Sequence, residues 1–280
     1  MHQPSMNPGM NPGMNPGTKL GTNPGMIELD WLRPDWPAPS TVRAGCTTRL
    51  GGVSQGPYAT LNLGRSCGDD PTAVVENRRR VRLALGAPAE PHWLRQVHGR
   101  AVVRAPFDAI TPDADASFTT QAGIVCAVQA ADCLPVLFCD DAGSVVAAAH
   151  AGWRGLAAGV LEACISALPV PASDLMAWLG PAIGPEAFEV GAEVRSAFVD
   201  HNAEDSACFR PGLGDRCYAD LFALARRRLQ RAGVSRVYGG GISTHADPER
   251  FYSFRRDGVT GRMAAMIWLQ PRNPEVAERL

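Results

Sequence analysis

No stretch of this chain approaches the run of about 18 apolar residues that a membrane-spanning helix needs. Its start also lacks the basic segment followed by an apolar one that marks a secretory signal. The expectation is therefore a cytoplasmic protein. Excess charge is equally missing: 27 basic against 28 acidic residues leave a net charge of −1, which excludes binding to nucleic acid or a membrane surface through bulk charge. Lysine is nearly absent, Lys19 being the single one among the basic residues, and the arginine bias carries no functional weight. The eight cysteines (Cys46, Cys67, Cys126, Cys133, Cys139, Cys164, Cys208 and Cys217) include no C-x-x-C pair, and eight in 280 residues is far below disulfide-scaffold density. In a reducing compartment they become candidates for metal ligation or catalysis, against a background in which most thiols are small buried hydrophobes.

What is present is a globular composition, 45% hydrophobic and 20% charged, with chain enough to bury a real core. Residues 1–25 carry the repeat Met6-Asn-Pro-Gly, Met10-Asn-Pro-Gly and Met14-Asn-Pro-Gly, echoed at Asn23-Pro24-Gly25. That is turn chemistry in units too short to bury a core, so a disordered tail is expected there and one catalytic domain over residues 26–280. Asp70 as N-cap, Pro71 at the first helical position and Gly86 past the end bracket a helix with Val74, Val81 and Leu85 on one face. Further helices are expected over Trp153–Leu168 and Tyr218–Ala232. Buried strands are expected over Ile124–Ala130, Pro135–Cys139, Ser144–Ala149, Val234–Tyr238 and Ala264–Leu269. Strands and helices mix without a regular βαβ beat, which predicts an α/β single layered domain with mixed β-sheet flanked by helices.

The most informative stretch runs from Ala131 to His150. Asp140-Asp141-Ala142-Gly143 is a turn cluster between two apolar runs and predicts a hairpin. A turn centred between Asp141 and Ala142 sets Cys139 opposite Ser144 and Cys133 opposite His150. Opposed side chains stand about 4.5–5.5 Å apart at Cβ, a separation from which a thiolate and an imidazole reach one metal at about 2.3 and 2.0 Å. Spacing alone leaves two readings open, a functional pair or a buried thiol beside a strand-end imidazole.

Gln96-Val-His-Gly99, Ala131-Asp-Cys-Leu-Pro-Val136, His150-Ala-Gly-Trp-Arg-Gly155 and Gly180-Pro-Ala-Ile-Gly-Pro185 resemble the signature blocks of the YfiH family. Its members are also called laccase-domain or multicopper polyphenol oxidase proteins, and purine nucleoside phosphorylases. Thr48-Arg-Leu-Gly-Gly-Val-Ser54 and Phe251-Tyr-Ser-Phe-Arg-Arg-Asp-Gly258 agree with the same pattern. The resemblance implies a zinc site of His98, Cys133 and His150; three protein donors leave a fourth position open, as in catalytic rather than structural zinc. Copper is able to occupy such donors as a non-native ion. Cys126, inside an apolar run, is expected in the core.

The implied activity is phosphorolysis of adenosine, inosine, guanosine and methylthioadenosine, together with deamination of adenosine. Substrates are then nucleosides and phosphate, met by a monomer or homodimer. Arg49 is the expected phosphate-binding group, beside Gly51-Gly52, with Asn62 and Gln96 suited to hydrogen-bond base or ribose. Asp132 is expected to orient a histidine or accept a proton, or else to cap a turn. Arg154, Arg255, Arg256 and Arg262 read as loop-holding arginines, the alternative being that they help neutralise substrate. Alternatives are a metal-independent Cys133/His150 hydrolase of cell-wall precursors, a copper oxidase of phenols, or an adaptor with structural zinc. The six scattered histidines contain no His-x-His pair for a multicopper centre. Two departures from the family pattern stand out: Ser66-Cys67 replaces a usual histidine, and Ser243-Thr244-His245-Ala246 occupies a segment where cysteines are common.

Overall fold

A computed structural model describes residues 29–107 and 111–271; the Met-Asn-Pro-Gly segment lies outside them. Runs of Val, Ala, Leu and Ile form strands where both faces must be covered at once. β6 (Leu134–Asp140) and β7 (Val146–Ala151) are buried along their whole length. Their side chains alternate, with Leu134, Val136 and Phe138 turned to helices and Leu137 and Cys139 to a second sheet. These two strands centre a six-stranded mixed sheet, ordered β12 (Arg236–Gly239), β8 (Leu175–Leu179), β6, β7, β4 (Ala116–Thr119), β3 (Val102–Arg104). Its outermost pairs are parallel and its inner pairs antiparallel.

A four-stranded antiparallel sheet packs against it, ordered β1 (Trp31–Leu32), β2 (Val42–Thr47), β13 (Met263–Leu269), β5 (Val125–Ala130). Cys46, Val128 and Ile267 meet Leu137, Val146 and Trp178 in the core between the sheets, and Cys126 is buried there as expected. α1 (Pro71–Leu85) covers the outer face of the smaller sheet through Val81 and Leu85. The outer face of the larger sheet is covered by α3 (Val160–Ala167) and α5 (Leu221–Arg231). The result is a helix–sheet–sheet–helix sandwich, the mixed α/β arrangement expected from the sequence. A third sheet, β10 (Phe209–Pro211), β11 (Cys217–Ala219), β9 (Glu189–Val190), sits beside α4 (Ala192–Val199). Among the described residues no helix is long and apolar enough to cross a membrane.

Three expectations need correction. The helix expected over Trp153–Leu168 is broken into α2 (Trp153–Ala158) and α3, because Gly159 takes φ 92° and closes α2 with its own N–H. The helix expected from Tyr218 starts at Leu221: Asp220 caps it by accepting from the Ala223 amide at 2.9 Å, and Cys217–Ala219 form β11 instead. In the hairpin, His150 pairs with Pro135 and Cys139 with Val146, not Cys133 with His150 and Cys139 with Ser144. The cause is Asp140, whose carboxylate accepts the amides of Ser144 and Val145 at 2.7 and 3.0 Å and so enlarges the loop by two residues. An even shift preserves which face each side chain occupies.

Candidate metal centre

β7 delivers His150 at its penultimate residue, where the imidazole is buried. Just before β4, Asp115 continues the β4–β7 ladder: its carbonyl accepts the His150 amide at 2.7 Å, and its fully buried carboxylate meets His150 Nδ1 at 2.9 Å. That carboxylate also accepts three consecutive backbone amides, of Val97 at 3.2 Å, His98 at 3.0 Å and Gly99 at 2.7 Å. Three amides converge on one group because His98 adopts φ 60°, the left-handed region that non-glycine residues seldom enter. One carboxylate therefore fixes both the ring of His150 and the turn that carries His98. With Nδ1 held, Nε2 is the nitrogen His150 offers.

Cys133 arrives from the opposite side. It follows Asp132, which has φ 86°, and precedes β6. Its Sγ lies 3.9 Å from His98 Nε2, and the two imidazoles stand edge to face with centroids 4.9 Å apart. The donor atoms of His98, Cys133 and His150 lie within 4.8 Å of one another, the one such group of three among the described residues. Tetrahedral zinc places sulfur and nitrogen donors about 3.5 Å apart, so this donor set fits the ion after small side-chain adjustments. Two glycines keep the space open. A Cβ at Gly152 would stand 2.7 Å from Cys133 Sγ, and one at Gly155 would stand 2.8 Å from the Gly99 carbonyl.

The electrostatics of the triad are mutual. Burial pushes the Cys133 thiol up, but the His150 and His98 imidazoles outweigh it and bring it down to about 6. Burial likewise lowers His150, yet Cys133 and the Asp115 carboxylate carry it up to about 9. Each partner thus favours the charged form of the other, thiolate for Cys133 and imidazolium for His150. The seven other cysteines all shift upward through burial, Cys46, Cys126, Cys139 and Cys164 to about 12.

The remaining expected residues stand outside this triad. Both oxygens of Asp132 are engaged, by Thr244 Oγ1 at 2.7 Å, Ser253 Oγ at 3.0 Å and the Arg255 amide at 2.6 Å; the histidine-orienting carboxylate is Asp115. Asn62 is fully buried, its Oδ1 accepting the amides of Gly64 and Arg262 and its Nδ2 donating to Asp69. Gln96 exchanges two 2.8 Å hydrogen bonds with the backbone of Gln129. Arg49 lies over the Tyr252 ring and donates to the carbonyls of Ala59 and Pro248. Arg256 and Arg262 are occupied by loop carbonyls, as expected of structural arginines.

Comparison with known proteins agrees with this architecture. A family model described as multi-copper polyphenol oxidoreductase laccase matches residues 43–270. The chain is 56% identical over 241 residues to a purine nucleoside phosphorylase of Pseudomonas aeruginosa, covering 86% of this chain and 98% of that one. It is 53% identical over 237 residues to purine nucleoside phosphorylase YfiH of Escherichia coli, covering 84% and 97%. Among solved structures, a Neisseria meningitidis protein superposes with a TM-score of 0.83 at 52% identity, over 86% of this chain and 99% of that one. YlmD from Geobacillus stearothermophilus superposes with 0.82 at 33% identity, over 88% and 99%. The family's description speaks of several copper ions, whereas the described residues of this chain offer a single three-donor group. With a family model spanning most of the sequence and half-identical relatives along its length, this chain belongs to the YfiH family of laccase-like proteins.

Proposed function

We propose that this chain is a zinc-dependent purine nucleoside enzyme that cleaves adenosine, inosine, guanosine and methylthioadenosine with phosphate and deaminates adenosine. The observation that carries the reading is the convergence of His98, Cys133 and His150 on one point, with the Asp115 carboxylate behind them. Relatives named purine nucleoside phosphorylases support the substrate class. Bound to these donors, zinc would bring a coordinated water toward a pKa of about 7 and polarise a neighbouring oxygen.

The chain's own residues supply position and charge. Asp115 holds one tautomer of His150, which keeps Nε2 turned to Cys133. Arg49 spends Nε on Ala59 and Nη1 on Pro248, at 2.8 and 2.9 Å, and keeps Nη2 for a phosphate oxygen. Asp132 ties the residue before Cys133 to the 244–255 segment and acts as a positioning residue. In phosphorolysis a phosphate oxygen bonds to C1′ as the bond from C1′ to the base breaks; the sugar leaves as its 1-phosphate and the base takes the proton. In deamination a water oxygen adds at C6 and ammonia departs.

The test is chromatography of adenosine incubated with phosphate and the protein, beside Cys133→Ala. Adenine, inosine or hypoxanthine above the variant's level is expected, and none above it refutes the reading. A second reading is favoured by the lowered Cys133 thiol beside a raised His150, the arrangement of a metal-independent thiol hydrolase acting on cell-wall precursors. His98→Ala separates the two. Joint loss of metal and activity belongs to the zinc enzyme, and retained activity to the dyad.

A further inference from the structure

In the sheet β10–β11–β9, Arg210 is paired with Tyr218 and Tyr218 with Glu189, so the three side chains form a row on one face. Tyr218 and Glu189, together with Ser243, His245 and Arg255, line an open cavity of about 430 Å³, within the range of about 300–1,000 Å³ usual for small-molecule sites. Two parts of its lining hang on the residue before Cys133. Thr244, between Ser243 and His245, donates its hydroxyl to Asp132 Oδ1 at 2.7 Å, and the Arg255 amide donates to Oδ2 at 2.6 Å. The Gly180–Pro185 block closes the same edge: the Gly184 amide donates to Ser243 Oγ at 3.2 Å, and a Cβ at Gly184 would stand 2.8 Å from that oxygen. The cavity and the Cys133 donor therefore share one anchoring turn.

The polar groups of this cavity are unequally spent. Glu186 is paired with Arg210 at 2.9 Å. Arg255 uses Nη1 on the carbonyls of Ala187 and Glu189, at 3.4 and 2.7 Å, so it holds the backbone of β9 and not the Glu189 side chain. Among the described residues the Glu189 carboxylate has neither an ion-pair nor a hydrogen-bond partner, although it lines the cavity.

We propose that this cavity binds the ribose of the nucleoside, with the Glu189 carboxylate accepting hydrogens from the 2′- and 3′-hydroxyls; the inference rests on the nucleoside reading given above. A vicinal diol offers two donors side by side, and an ionised carboxylate offers two oxygens that only accept. On a purine base the acceptors N3 and N7 are repelled by the same carboxylate. The donors a base does offer, an exocyclic amine or N1–H, differ from one base to the next, so a change in base ranking separates them from the diol. The hydroxyls of Tyr218 and Ser243 add donors suited to the oxygens of the sugar.

The experiment is calorimetric titration of the full chain with inosine and with 2′-deoxyinosine, which carry no amine to lose to water, in the absence of phosphate, for the wild type and Glu189→Gln. Glutamine matches the shape of glutamate and leaves the backbone bond to Arg255 intact, and circular dichroism checks the fold. Expected is inosine binding about tenfold to a hundredfold tighter than the deoxynucleoside in the wild type, the range of one hydrogen bond to a charged group. Glu189→Gln is expected to lose most of that preference and to bind 2′-deoxyinosine more weakly as well, since the remaining 3′-hydroxyl also loses its charged acceptor. An unchanged preference in the variant overturns the proposal. So does a variant that keeps the ribose preference but changes its ranking of inosine against guanosine, since the cavity would then face the base. Turnover is not read in this titration: ribose-selective binding without phosphorolysis sinks the activity reading alone, and no nucleoside binding by the wild type sinks both.

Discussion

Replacing Asp115 by asparagine tests the central claim about the site. Each oxygen of Asp115 serves two donors: Oδ1 takes the His98 amide and His150 Nδ1, and Oδ2 takes the amides of Val97 and Gly99. Asparagine keeps one oxygen and turns an NH2 group toward the other pair, whichever way it flips. Two hydrogen bonds to a buried charge are lost, at about 1.5–3 kcal/mol each, so a loss of about 3–6 kcal/mol in folding stability is expected before relaxation. That is a large share of the about 5–15 kcal/mol by which a domain is stable, so the variant is expected to unfold at clearly lower urea. Loss of the carboxylate partner of a metal-binding histidine costs a further factor of about 10–100 in metal affinity. Urea denaturation reads the first quantity, and zinc competition against a chromophoric chelator reads the second. Asp205→Asn serves as control, since it removes a buried carboxylate with no bond to the triad. Wild-type zinc affinity in Asp115→Asn would falsify the assignment of Asp115 as the residue that orients the site.

Three shorter predictions follow from the same geometry. With zinc removed by chelation, iodoacetamide at pH 7 modifies one thiol per chain, at Cys133, with a midpoint near pH 6; peptide mass mapping that finds several thiols modified equally contradicts the electrostatics. Gly152→Ala, at φ −60°, meets no backbone strain, yet its Cβ intrudes on Cys133 Sγ. The variant folds but retains less than about a tenth of the wild-type zinc affinity by the same competition assay. Asp205 is held by Arg227 at 2.8 Å and Arg231 at 2.7 Å; burial raises its carboxyl, but the two arginines outweigh that and hold it below the ordinary range. A lowered folded pKa gives stability that is complete above the unfolded value of about 3.9 and is lost as pH falls through the folded one. Asp205→Asn is therefore expected to be less stable at neutral pH, by on the order of 2 kcal/mol because its arginine partners are about a third exposed. It should also lose part of the acid dependence of the denaturation midpoint.

The parts of the fold written in local chemistry were legible. Asp70, Pro71 and Gly86 bracket α1 as the sequence predicts, because a cap, a fixed φ and a left-handed stop each act within a few residues. The hairpin was legible as a hairpin, but its register depended on Asp140 reaching forward to two amides, which no pattern of apolar residues encodes. His98, Cys133 and His150 were named through resemblance, and the structure brings their donor atoms together. Asp115 was missed. It lies in an unmarked segment before β4, and its importance depends on a strand pairing with β7 and on the left-handed turn at His98, both non-local. Recognising Ala116–Thr119 as a strand beside β7 would have set Asp115, the residue before it, next to His150. Asn62 and Gln96 show the converse: polar residues in matching blocks whose hydrogen bonds are consumed in holding the backbone.

The three donors differ in what must break before each can move. His150 is stitched into the central ladder of a sheet covered on both faces, so displacing it means opening that sheet, while Cys133 stands half-buried on the bend that leads into it. His98 stands on an exposed turn held by amide bonds to Asp115. That turn opens locally at a much smaller cost. The amide protons of His98 and Gly99 thereby act as an internal clock. Where exchange is faster than reclosing, at raised pH, their rate of exchange with deuterated water is the opening rate of the turn, the ceiling on release of a bound ion through it.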